Sequence, residues 1–145
     1  MNLFFLPLFF LYMGFLDLVR GSIQQAFSIP FSCMVIMPTK VVHIKECPGN
    51  DWIIVNGEVV IKSDPRYVYI GRACKNIPAS IWGNEFVIGK DGTRTDVCKK
   101  YKDSFMTHKD RLKHLPDLAD KFLVCFCKPN ECHGNFLAYL SNNLN

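Results

Sequence analysis

The sequence predicts an α/β fold: a small three-layer, Rossmann-like domain with a mixed, partly parallel sheet and an inserted β-hairpin. Three observations predict it. Short β-branched runs alternate with helically spaced apolar stripes. Two of those runs, Trp52-Ile53-Ile54-Val55 and Glu58-Val59-Val60-Ile61, are joined by Asn56-Gly57, the strongest short-range hairpin signal. A continuous apolar run, Phe122-Leu123-Val124-Cys125-Phe126-Cys127, has the pattern of a central strand covered on both faces.

The domain is assigned to residues 37–145, and residues 1–36 form an apolar leader of different composition. Residues 3–16 are almost wholly apolar. That run is short of the roughly 20 residues that span a bilayer. No basic residue precedes it, as one does in a signal peptide. Three readings stand open. The leader is a signal-like segment or anchor through residues 1–21, an apolar arm packed on the domain, or upstream sequence that is not native. Met37-Pro38-Thr39-Lys40-Val41-Val42 reads like the natural start of a cytosolic domain. The last reading implies a cytoplasmic address, the first a membrane-associated or secretory one.

Within the domain, Val41-Val42-His43-Ile44 is the first strand, and Cys47-Pro48-Gly49-Asn50-Asp51 is turn chemistry. Ser63-Asp64-Pro65 closes the hairpin. Tyr67-Val68-Tyr69-Ile70-Gly71 is the next strand, with Arg72 where the chain leaves it. Residues 73–92 form a loop, long for a compact domain. Its apolar residues Ile77, Ile81, Trp82, Phe86 and Ile88 are its expected anchors. Thr93 or Thr95 caps a helix running to about residue 105 or 106, with Val97, Cys98, Tyr101 and Phe105 as its buried stripe. A short helix over 109–115 precedes Pro116. After the apolar strand, Pro129 breaks the chain. Cys132 or His133 then opens a last helix to about residue 144, burying Phe136, Leu137, Leu140 and Leu144.

Composition limits what such a domain does. Hydrophobic residues at 49% and charged residues at 21% exclude a disordered chain. A net charge of +4 is far from the basic stripe of an obligate nucleic-acid binder. It is compatible with small anionic ligands. Seven cysteines are an odd count, and Cys125, Cys127 and Cys132 crowd into eight residues. A secreted disulfide framework has even counts and wider spacing, so free thiols or a metal site in a reducing compartment are expected.

Two constellations carry chemistry. The first is the junction from Cys125 through Cys127 and Pro129 to Cys132-His133-Gly134. It leaves a strand at its carboxyl end, where open α/β sheets bind ligands, and enters a helix N-terminus, whose free N–H groups attract anions. The same field lowers a thiol's pKa, so Cys132 and His133 are the candidate catalytic pair, with Cys127 as the other nucleophile. A base from elsewhere would be His43, His108 or His114. Alternatively, Cys125, Cys127, Cys132 and His133 ligate zinc, although usual zinc knuckles use Cys-x2-Cys pairs. The plainest alternative leaves Cys125 and Cys127 in the core and His133 capping the helix.

The second constellation offers ligand-binding groups: Gly71, Arg72, Trp82, Asn84, Asp91 and Arg94, joined by Gly134 from the first. An arginine after a strand glycine reaches a phosphate or carboxylate with its planar fork. Trp82 is placed to stack on a base, and Asn84 offers donor and acceptor. The alternative is a turn-rich loop held by Trp82 and Phe86.

Taken in order, these residues carry a resemblance. Tyr69-Ile70-Gly71-Arg72, Trp82-Gly83-Asn84-x-Phe86, Ile88-Gly89-x-Asp91-Gly92-x-Arg94 and Leu123-x-Cys125-x-Cys127-x-Pro129-x-x-Cys132-His133-Gly134 resemble the DUF4326 family, a domain of unknown function. The resemblance covers residues about 41–140. Family members begin near a segment like Pro38-Thr39-Lys40-Val41-Val42, which implies that the leader is extra. This chain has Glu85 where the family commonly has Pro, Phe126 where it often has Trp, and the hairpin over 52–61 as an insertion. The closing motif is also similar to that of another uncharacterised α/β family, which implies a pocket of nucleotide or nucleobase type. The expected function is therefore binding of a nucleotide, nucleoside or similar small anion, with or without a reaction on it, and with no cofactor. The competing expectation is a non-catalytic Cys/His zinc-binding or protein-interaction module.

Overall fold

A computed structural model describes residues 37–144, and the leader over 1–36 and every reading of it lie outside the described residues. Among them, five strands form one sheet: β1 (Lys40–His43), β2 (Trp52–Val55), β3 (Glu58–Ile61), β4 (Tyr67–Tyr69) and β5 (Phe122–Cys125). The order across the sheet is β1-β5-β4-β3-β2. β5 runs parallel to both β1 and β4, while β2–β3 and β3–β4 are antiparallel. Three helices accompany the sheet: α1 (Arg94–Phe105), α2 (Lys109–His114) and α3 (His133–Asn142). A 3₁₀ turn, Leu115–Leu118, links α2 to β5.

β5 takes the inner position because all four of its side chains are apolar and buried. The apolar run outlasts the strand. Phe126 turns out to solvent, 47% exposed, and Cys127 is half-buried. Alternation sorts the faces. Leu123 and Cys125 join Val60, Val68 and Ile70 against Tyr101, Phe105, Leu115, Leu118 and Leu137. Phe122 and Val124 join Val42, Val59 and Tyr69 on the opposite face. The described helices all cover the first face, so the described domain is two layers deep. The α/β class and the mixed, partly parallel sheet hold. The second helical layer of a three-layer, Rossmann-like domain is not among the described residues.

The hairpin forms with the expected register, Trp52 opposite Ile61. Asn56 and Gly57 take φ of 51° and 86°, the two positive values that a type I′ turn needs. Through β3 the hairpin joins β4 and extends the sheet. Thr93 caps α1: its hydroxyl accepts from the Asp96 N–H, and the Asp96 carboxylate accepts from the Thr93 N–H. The loop over 73–92 has one deep anchor, the fully buried Trp82, while Ile81 and Ile88 are exposed. α3 stops at Asn142, which leaves Leu144 exposed. The buried stripe of α3 is Leu137, Ala138 and Ser141. Its far end is pinned beside β1. The Asn142 side chain accepts from the Thr39 N–H at 2.8 Å and donates to the Thr39 carbonyl at 2.9 Å. Among the described residues, no helix is long and apolar enough to cross a membrane.

One polar intruder enters the helix-side core. Glu58 lies on the same strand face as Val60, and its Oε1 is buried without a hydrogen-bond partner, as is Trp82 Nε1. Burial raises the Glu58 pKa, and the nearby indole N–H lowers it by less. A folded pKa above the unfolded one means that the native state holds the proton more tightly. Stability is therefore lost as pH rises through the carboxylate range. Glu58→Gln is expected to raise Tm at about pH 7 and to change it little below about pH 4. Thermal melts at the two pH values check this, and equal Tm at neutral pH contradicts it.

Candidate functional site

The carboxyl ends of β4 and β5 lie side by side because the two strands are parallel neighbours. β4 runs on into Ile70-Gly71-Arg72, and the Ile70 N–H still pairs with the Val124 carbonyl at 3.0 Å. β5 runs on into Phe126-Cys127, and the chain returns at Cys132 to start α3. These ends and the first turn of α1 enclose a cavity of about 300 Å³. Gly71, Arg72, Asn84 and Arg94 line it, and so do Cys125, Cys127, Cys132 and His133. The two constellations read from the sequence thus meet in one place.

His133 fixes the geometry. It is 5% exposed, and its Nε2 lies 2.9 Å from the Ile70 carbonyl. A carbonyl only accepts, so Nε2 carries the proton and Nδ1 keeps a lone pair. Nδ1 faces the Cys132 sulfur at 3.8 Å. Neighbouring helix residues point apart, but Cys132 is the N-cap, with φ −138° and ψ 141°. That extended conformation swings its sulfur back toward the ring and into reach of the Gly134 N–H at 3.4 Å. Tyr101 closes the other side of the ring, edge-on at 4.8 Å, with its hydroxyl donating to the Trp82 carbonyl. Desolvation lowers the His133 pKa, so the ring is neutral.

Three thiols, Cys125, Cys127 and Cys132, share this part of the cavity. The neighbouring Cys125 and Cys132 thiols hold the Cys127 pKa below the ordinary thiol range, and Arg94 adds to this. Cys125 and Cys132 rise in turn, because each serves as donor to a neighbouring sulfur and each is buried. The sequence pointed to Cys132 and His133 as the reacting pair. The structure buries Cys132 and pushes its pKa up, the reverse of an activated thiol. Cys127, half-buried, is the more accessible of the two candidate nucleophiles. His43, His108 and His114 do not line the cavity. His43 accepts from the Lys45 N–H, and His114 faces Asp117.

Arg72 and Arg94 are the cationic groups on the cavity. Arg94 also donates to the Glu131 carbonyl at 3.2 Å, while Thr95 donates to the Glu131 carboxylate, so the loop before α3 is tied to α1. Asn84 lines the cavity but spends its amide on structure, donating to the Val97 carbonyl and accepting from the Phe86 N–H. Gly71 leaves room for Tyr69, whose hydroxyl folds back to donate to the Arg72 carbonyl at 2.7 Å; a Cβ there would strike that ring.

Three expected ligand groups lie elsewhere. Trp82 is fully buried in the core beside Phe105. Asp91 shapes the tip of its loop, bonding the Val87 N–H and C=O. Gly134 faces Ile70 and Val41, where it lets α3 approach the sheet. Sequence reasoning overlooked Tyr69, Phe126 and Glu131, which also line the cavity. Phe126 carried a signal: one residue past a buried strand, alternation ends and the side chain is free to turn outward. The Ile70 carbonyl that fixes the tautomer carried none.

A two-layer α/β domain with a cavity over adjoining strand ends is the class that fold and site define. The chain belongs to the DUF4326 family, a domain of unknown function, whose family model matches residues 56–143 and so contains every site residue named above. Over 64 residues the chain is 38% identical to an uncharacterised protein of Acanthamoeba polyphaga mimivirus, covering 41% of this chain and 48% of that one. It therefore spans about half the length of that relative. Over 98 residues it is 31% identical to an uncharacterised 12.4 kDa protein in the nrdA-td intergenic region of Enterobacteria phage T4, covering 54% of this chain and 86% of that one. No solved structure matches the chain.

The placement of Gly134 has a measurable consequence. A Cβ there would lie 2.5 Å from Ile70 Cδ1 and 3.1 Å from Val41 Cγ2. Gly134→Ala is expected to cost about 1–3 kcal/mol by overpacking. Urea unfolding measures it, and unchanged stability would contradict the packing role.

Proposed function

We propose that this cavity binds a small anionic ligand of nucleotide or nucleoside type. The observation that carries the reading is the convergence of Arg72 and Arg94 on one cavity, with neither in an ion pair among the described residues. A guanidinium that no carboxylate neutralises, set at the wall of a concave site, favours an anion with a planar, forked acceptor such as phosphate. The rest of the wall suits a ring: Tyr69, Phe86, Ile88 and Phe126 supply apolar and aromatic surface. At about 300 Å³ the cavity sits at the small end of ligand sites, which fits a mononucleotide better than a dinucleotide. Its place beyond the carboxyl ends of parallel strands is where α/β sheets generally hold ligands. The six described cysteines are free thiols, which favours a reducing compartment as the working address.

The test is a binding panel of nucleoside monophosphates, nucleosides, free bases and inorganic phosphate, read by thermal shift and calorimetry. At least one nucleotide is expected to raise Tm. Arg72→Ala and Arg94→Ala should each weaken it about 10- to 100-fold, the loss of a charge-assisted hydrogen bond. No shift with any member of the panel would sink the reading.

A further inference from the structure

We propose that Cys125, Cys127, Cys132 and His133 hold one zinc ion at the base of the cavity. The Sγ atoms of Cys125 and Cys132 and a ring nitrogen of His133 all lie within 4.8 Å of one another, and all three residues are buried. Cys132 Sγ and His133 Nδ1 stand 3.8 Å apart. With Zn–S near 2.3 Å and Zn–N near 2.1 Å, tetrahedral ligands stand about 3.5–4 Å from each other. One ion fits after side-chain adjustments of about 1 Å. Cys127 lines the same cavity on the segment just past β5, and by turning its sulfur inward it would complete a closed Cys₃His site.

Two further features suit a metal site. First, the Ile70 carbonyl takes the His133 Nε2 proton at 2.9 Å and aims the Nδ1 lone pair at the sulfurs. This is the outer-sphere partner that zinc-bound imidazoles typically have. Second, the Gly134 N–H points at the Cys132 sulfur at 3.4 Å, a donor that stabilises a bound thiolate. The objection from spacing also falls. Cys125 and Cys127 have a single residue between them, which would be awkward on a straight strand, but β5 ends at Cys125 and the chain is free to turn. Bound there, zinc would staple the end of β5, the loop over 126–131 and the N-terminus of α3.

The metal reading does not depend on the anion reading, and it is tested without any nucleotide. The full chain, purified under reducing conditions with no metal added, is expected to carry about one zinc by elemental mass spectrometry. After stripping, cobalt(II) should give the visible bands of a tetrahedral, thiolate-rich centre. Cys132→Ser and His133→Ala should fall well below one zinc per chain. Cys98→Ser, at a buried thiol that lines the same cavity, should keep it. Where the variants fail to fold, zinc content and cobalt spectrum of the unaltered chain decide alone. No zinc together with an octahedral cobalt spectrum overturns the proposal. So does a disulfide among the three cysteines in place of metal, or zinc retained in both site variants.

Discussion

The hydrogen bond from His133 Nε2 to the Ile70 carbonyl is the contact on which the site depends. It joins the first turn of α3 to the residue after β4, two segments 63 positions apart in the chain. It also sets which ring nitrogen carries a proton, and hence what the thiols face. A buried imidazole without a partner would cost free energy, and a partner at only one nitrogen leaves the other free for chemistry. Gly134 makes the contact reachable, because only a residue without Cβ lets α3 lie this close to Ile70 and Val41. The far end of α3 is held independently by Asn142 on Thr39. Position and tilt of the helix are thus set at both ends, which is what a site needs from its scaffold.

Around that bond the structure separates groups that pack from groups that face the cavity. Trp82, Tyr101 and Phe105 form one aromatic block under the loop over 73–92. Tyr101 touches both His133 and the Trp82 carbonyl, so the loop and the imidazole share a support. Asn84 then ties the loop to α1 through the Val97 carbonyl. These contacts hold the loop to the core, although the Trp82 indole N–H has no partner. At the cavity stand two guanidiniums and a set of sulfurs, of which Cys125 and Cys132 also belong to the core.

Much of this was legible in the sequence, and what was not follows a pattern. Asn56-Gly57 identified the hairpin and its register, because only certain residues accept both positive φ values. The capping threonine, the inner strand and the start of α3 were equally local signals. Periodicity also found the Cys125-to-Gly134 junction and Arg72. It failed where a residue's role is set by a partner distant in the chain. Trp82 was read as a stacking surface because loops carry function, yet its indole is fully buried beside Phe105. Gly134 was read as room for a ligand, and the room is taken by Ile70. Cys132 was chosen as the reactive thiol from the helix field alone. Its burial against Cys125 and the core depends on partners that the local sequence does not show. The layer count depended on which face each helix covers, which spacing within one helix does not encode.

The two proposals are linked by charge. Three thiolates around a divalent ion leave a net charge of about −1, whatever the pH in the neutral range. Arg72 and Arg94 add two positive charges on the same cavity, and Glu131 adds one negative charge. The sum is about zero, so under both proposals a phosphate would be held by the two guanidinium forks rather than by net charge. What the metal would change is rigidity: it would replace a set of shared protons with fixed bonds and hold the cavity wall at Cys127 in one position. A ligand site lined by a half-buried loop residue gains most from such a fixture, since ordering that loop on binding would otherwise cost affinity.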